Sequence, residues 1–285
     1  MKNNALFLGL FFSALGFSTA NAQVKLSDNL LGAVQKGITG FTFSDADAAA
    51  LSKAAIAKMD TENEVAGPSD PYTIRLNKIF GKHASGKGLT LNYKVYKLKE
   101  VNAFATADGS VRVYTGLMDI MDDNELLAVI GHEIGHVVNN DSRDAIKAAY
   151  KKEALIDAAS SQYGKIAEVT GSQLGKIGNA MIDSSHSRMQ ESEADTFSYD
   201  FMKKNGYDVN AVESAFSILA KMSEGTSTTF LDRMMSSHPD AKERAENAKK
   251  RAQSDGLYKA YVKQSSVAKE PAKTTAKKST KKKKK

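Results

Sequence analysis

Apolar and polar positions follow two different periods along this chain, and each change of period marks an element. From Ser44 to Ala66 alanines dominate after the cap-type residues Ser44 and Asp45, and Pro68 closes the stretch, which predicts a helix. Asp70-Pro71 opens a second helix over Tyr72 to His83. Gly81, Gly86 and Gly88 interrupt the helical spacing, and Leu89 to Lys97 then sets Leu, Tyr, Val and Tyr against polar residues at period two, the mark of a strand. A second strand-like run, Val111 to Tyr114, follows Asp108-Gly109, a pair suited to a hairpin turn. An exposed edge of this small sheet is a place where an extended peptide could pair.

Asp122 and Glu125 stand at capping-box spacing, so a helix begins there. Its apolar residues Leu126, Leu127, Ile130, Ile134 and Val137 imply that it is buried. Arg143 to about Ser185, rich in Ala, Lys, Ser and Gly, reads as helical segments with weak periodicity. Arg188 to Lys204 predicts a helix ended by Asn205-Gly206, and Val209 to Ser223 another ended near Gly225. Pro239 suits the first turn of a last helix running to about Ser254. The chain is thus expected to be α+β and mostly helical.

The buried helix carries His132-Glu133-Ile134-Gly135-His136. Residues four apart share a helix face, so His132 and His136 can present ring nitrogens to one metal ion. Glu133 falls on the neighbouring edge, off the metal, where it can take a proton from water. A catalytic zinc site needs a third protein ligand and an open position. Glu191 and Asp195, also four apart on a predicted helix, are the candidates: one can bind zinc while the other orients a ligating histidine. His83 and His186 have no partner pattern and read as surface or packing residues.

Composition sharpens this picture at the two ends. The 285 residues, 41% of them hydrophobic, suffice for a real core. Lys2, an apolar run from Ala5 to Phe17 and Ala20-Asn21-Ala22 have the form of a secretory signal with cleavage after Ala22, and the run is too short to span a bilayer. An exported chain, periplasmic or attached to the envelope, with no transmembrane helix after processing, is the expectation. The sequence contains no cysteine, which excludes thiolate ligands, a cysteine nucleophile and disulfides. The formal charge is +7, but residues 263–285 hold ten lysines against Glu270, a net +9 that leaves the rest at −2. Residues 23–262 are therefore expected to form one mildly acidic domain and 263–285 a solvated basic tail. Such a tail could hold an anionic envelope surface, and nucleic acid is not expected as a partner.

Taken together, these residues resemble the zinc metallopeptidases that include the CaaX prenyl protease, HtpX and the periplasmic protease BepA. Asn102-Ala103-Phe104 with Val111 to Leu117 is similar to the strand region before the motif helix, Gly131 to His136 to the zinc signature, and Ser187-Arg188 with Glu191 to Asp195 to the downstream motif. The resemblance implies a zincin-like fold with a small sheet beside the motif helix, and one Zn2+ per chain on His132, His136 and Glu191. It makes Glu133 the catalytic base and Asp195 the support of a ligand. His238-Pro239 with Arg244 resembles a late motif, from which His238 would stabilise an oxyanion or cap the metal at rest. Many soluble relatives carry a further histidine after the signature, where this chain has Asn139-Asn140-Asp141, and nothing in the expected metal site depends on it. The implied activity is endopeptidase cleavage of exported polypeptides in envelope quality control. A metal-bound chaperone or assembly factor with latent proteolysis is the alternative.

Overall fold

A computed structural model describes residues 44–86, 89–160, 170–224 and 231–264. The signal-like segment and the tail beyond Gln264 lie outside them. Helix α1 (Asp45–Glu62) starts on a capping box in which Ser44 and Asp47 satisfy each other's backbone N–H, and it stops short of the Ala66 expected from the alanine run. Helix α2 (Pro71–Phe80) begins with Asp70 accepting from Tyr72 N–H and continues as one 3-10 turn to His83. The expected strand over Leu89 to Lys97 divides: β1 (Ser85–Gly86) and β2 (Leu89–Thr90) form a two-stranded ribbon, and β3 (Asn92–Tyr96) enters the main sheet.

The main sheet has the order β3-β5-β4, with β4 (Ala103–Ala105) antiparallel and β3 parallel to the central β5 (Ser110–Tyr114). Asp108-Gly109 makes the β4–β5 turn, with Gly109 at φ +82, where a Cβ would also lie 2.7 Å from Thr90 O. Three-residue β4 is buried throughout and carries no alternation, which is why periodicity does not reveal it.

The two faces of the sheet join different cores. Tyr96, Phe104 and Tyr114 pack with α1 and with α5 (Asp141–Ser160) and α6 (Gly171–Ile182); Val95, Ala103, Ala105, Val111 and Val113 pack toward α2, α3 (Thr115–Ile120) and α4 (Asp123–Val138). Edge strand β4 lies against α4. Arg112 is buried in the central strand and held bidentately by Asp60, Nε to Oδ1 2.8 Å and Nη2 to Oδ2 2.9 Å. Tyr96 and Lys94 add bonds of 2.7 Å to the same carboxylate.

The chain continues through α7 (Arg188–Lys204), α8 (Asn210–Glu224), the short α9 (Asp232–Ser237) and α10 (Ala241–Ser254). Pro239 sits before this last helix rather than in its first turn, because Asp240 adopts a left-handed conformation at φ 62 and the helix begins only at Ala241. An extended strap then returns to the start of α4. Tyr261 Oη and Gln264 N–H each bond Asp122 Oδ2 at 2.7 Å, and Lys263 Nζ bonds Ile120 O at 2.6 Å, so Lys263 and Gln264 lie on the folded body. No helix among the described residues is long and apolar enough to cross a membrane.

The Asp60 carboxyl resists protonation: burial opposes its charge, but Arg112, Lys94 and Tyr96 outweigh that and hold its pKa below the usual value. Its contribution is therefore complete above about pH 4 and is lost as pH falls through the folded pKa. Asp60→Asn should cost about 3 kcal/mol at neutral pH by leaving Arg112 buried without a counter-charge. Thermal unfolding should show the gap from wild type closing below about pH 4.

Candidate metal centre

Every residue of α4 from Glu125 to Val137 is buried, so its polar side chains must find partners inside the protein. The capping box holds as expected: Asp122 accepts from Asn124 and Glu125 N–H, and Glu125 accepts from Asp122 N–H. Two to three turns further on, at Gly131 and Gly135, α7 crosses α4 at very short range. A Cβ at Gly135 would lie 2.8 Å from Ala194 Cα, and one at Gly131 would lie 3.4 Å from Ser198 Cα. Ser198 Oγ closes the contact by donating to Ala128 O at 2.6 Å.

This approach carries Glu191, one turn before Ala194, to the two histidines. His132 Nε2 and His136 Nε2 are 3.0 Å apart, and the Glu191 oxygens lie 3.4 Å from the first and 3.3 Å from the second. Ligands about 2.0–2.1 Å from one tetrahedral ion stand roughly 3.3–3.4 Å apart, so two imidazoles and a carboxylate at these separations fit a divalent metal. Glu133 stays off the cluster, and its buried Oε1 has no hydrogen-bond partner among the described residues.

His238, placed by the turn between α9 and α10, also reaches the cluster. Its Nδ1 is 3.0 Å from Glu191 Oε1 and 3.3 Å from His132 Nε2, and its Nε2 is 3.7 Å from Glu133 Oε1. Asp195 Oδ1 lies 2.8 Å from His132 Nδ1, and Arg244 Nη2 lies 3.0 Å from the same nitrogen. Arg244 joins both carboxylates, Nη1 to Glu191 Oε2 and Nη2 to Asp195 Oδ1 at 2.6 Å each, and lies 4.0 Å over the Phe216 ring.

The electrostatics follow from burial opposed by these partners. Desolvation pushes the Glu191 carboxyl up, but His132, His136 and His238 outweigh it and hold it far below the carboxylate range. Asp195 is likewise desolvated yet lowered to about 2, chiefly by Arg244 and then by His132. Burial depresses His136, while Asp141 and Glu191 reverse this and raise it to about 9. His238 is lowered by its burial.

All six residues singled out in the sequence thus come together: His132, Glu133, His136, Glu191, Asp195 and His238. Others emerge only in three dimensions. Asp141, given no role by the sequence, lies 2.9 Å from His136 Nδ1, where α5 begins just after the turn at Asn140, φ 69. His186 is a packing residue with a specific partner, stacked 3.9 Å from the His136 ring at 16°. His83 packs elsewhere, bonding Tyr207 Oη at 2.7 Å.

Fold and site together define a zincin-like metallopeptidase. Residues 75–252 match the model of peptidase family M48, and the chain belongs to that family. It is 39% identical over 255 residues to the metalloprotease YcaL of Escherichia coli K12, covering 88% of this chain and 98% of that protein. It is 38% identical over 260 residues to the metalloprotease LoiP of the same organism, covering 90% and 100%. A shorter match, 38% over 96 residues and about a third of each chain (32% and 33%), relates it to the protease HtpX of Xanthomonas euvesicatoria.

Gly135→Ala tests the helix contact. With 2.8 Å to Ala194 Cα there is no room for a methyl group, so α7 must shift and take Glu191 with it. Chemical denaturation should show a loss of about 1–3 kcal/mol, accompanied by weaker metal retention on dialysis.

Proposed function

We propose that the chain is a zinc-dependent endopeptidase acting on exported polypeptides, with one Zn2+ held by His132, His136 and Glu191. The observation that carries this reading is the convergence of those three donors beside a buried glutamate, Glu133, whose Oε1 is free to accept a proton. A bound zinc ion would supply Lewis acidity, polarising the scissile carbonyl and making water more acidic. Glu133 takes the proton from the attacking water and delivers it to the leaving amine nitrogen as the C–N bond breaks. Asp195 and Arg244 keep His132 and Glu191 in place.

The attack is on the peptide group itself, a feature every substrate backbone shares. That suits a protease of many unfolded or unassembled envelope proteins. Export is supported by the signal-like residues 1–22 and the quality-control role by the family resemblance. The Lys-rich tail adds attraction to an anionic envelope surface.

A second reading is a metal-bound chaperone or assembly factor with latent proteolysis. What favours it is His238, whose Nδ1 sits among the ligands at 3.0 Å from Glu191 Oε1 rather than over a substrate site.

Casein cleavage by the mature protein should disappear with a zinc chelator and return with Zn2+. Glu133→Gln should lower kcat by roughly 10²–10⁴ while retaining one zinc per chain. Cleavage unchanged in both arms rejects the mechanism, and one bound zinc without cleavage in wild type supports the latent reading.

For the tail, the informative truncation follows Gln264, since Lys263 and Gln264 hold the cap of α4. This truncation should reduce co-sedimentation with anionic liposomes and leave unfolding unchanged; equal binding by both forms makes the tail passive.

A further inference from the structure

Metal-binding imidazoles work best when the nitrogen away from the metal donates to a fixed acceptor, which sets the tautomer and the ring angle. His132 has such an acceptor in Asp195. His136 has one as well, and it is a residue to which neither the motif nor the resemblance gives a role. Asp141 Oδ2 lies 2.9 Å from His136 Nδ1, both groups are buried, and a carboxylate can only accept, so Nδ1 carries a proton and Nε2 is the nitrogen that faces the cluster.

The other oxygen of Asp141 is held from the helix that brings Glu191. Gln190 Nε2 donates to Asp141 Oδ1 at 2.8 Å. Its amide cannot turn over, because Gln190 Oε1 accepts from Ser187 N–H at 2.9 Å in the capping box that starts α7. One chain of bonds therefore runs from the cap of α7 through Gln190 and Asp141 to the His136 ring. His186 lies face-on to that ring at 3.9 Å and 16°, a stacking contact that limits its tilt.

We infer that Asp141, oriented by Gln190, is the positioning residue for His136, so that the first turn of the helix bearing Glu191 also sets the second histidine. The inference rests on reading His136 as a zinc ligand.

The bond polarities make a specific test. In Asp141→Asn, the single oxygen can serve His136 or Gln190 but not both, and the new amide meets the Gln190 amide donor to donor. In Asp141→Asn/Gln190→Glu, the introduced glutamate accepts both from the introduced amide and from Ser187 N–H, as glutamate ordinarily does in a capping box, and the remaining amide oxygen returns to His136. Zinc affinity of the metal-free full-length protein would be measured by competition with a chromogenic chelator. Asp141→Ala and Asp141→Asn should bind zinc about 10–100-fold more weakly than wild type, and the double variant should recover most of the loss. Nitrogen NMR of the histidine rings in metal-free wild type should show His136 protonated at Nδ1.

Should Asp141→Ala fail to fold, the Asn variant and its rescue decide. Wild-type affinity in Asp141→Asn, or a double variant as weak as the single, overturns the inference alone. A wild-type protein that binds no zinc overturns the reading of the site and this inference with it.

Discussion

The contact between α4 and α7 is the constraint on which the site depends. Three groups from two helices must meet within hydrogen-bonding distance of one point, and a rigid helix cannot extend a short glutamate across an ordinary interhelical gap. Helices packed through medium-sized side chains lie about 8–10 Å apart. Here Gly131 and Gly135 face Ser198 and Ala194, and the backbones close until a Cβ on Gly135 has no space. The spacing inside His132-Glu133-Ile134-Gly135-His136 therefore has two functions. The histidines face the cluster, and Gly135 opens the place where the neighbouring helix enters.

That closeness concentrates charge in a dry region, and a second layer of partners compensates for it. Glu191 and Asp195 would be costly to bury alone. Arg244 reaches both, and its remaining face is covered by Phe216, so one cation from α10 neutralises much of the carboxylate charge on α7. Asp195 and Asp141 occupy the outer nitrogens of His132 and His136. The cluster is consequently tied to α5, α7 and α10 as well as to its own helix. The strap from Tyr261 to Gln264 fixes the other end of that helix through Asp122. The catalytic helix is thus anchored at its cap by the strap from Tyr261 to Gln264 and at its C-terminal turn by the ligand network.

Much of the fold is local enough to be legible in one dimension. Capping boxes at Ser44 and Asp122, the Asn205-Gly206 stop and the period-two run near Tyr96 all act over a few residues, and the elements they announce are present. Where reading failed, the deciding contacts are distant in sequence. Strand β4 is too short and too evenly buried to show a period, and α9 is only six residues long. Arg112 alternates with valines along β5, and which face it takes is decided by Asp60, 52 positions earlier, which holds it inside. Pro239 lies outside its helix because Asp240 takes a left-handed conformation, which side-chain type alone does not dictate.

For the site, the chain by itself determined two donors and the base, His132, His136 and Glu133, because their relative geometry is a property of a single helix. It also supplied Glu191 with Asp195, and His238, as candidates whose meeting had to be inferred from resemblance. Only the tertiary structure decided which groups stand behind them. Asp141 carries no sequence signal beyond being where a histidine is often found, and Gln190 reads as an ordinary cap. Their roles arise because the left-handed turn at Asn140 and the close crossing of α7 bring two helix starts to one imidazole. Hydrogen bonds are short-ranged and directional, so such roles exist only once the backbones have been placed.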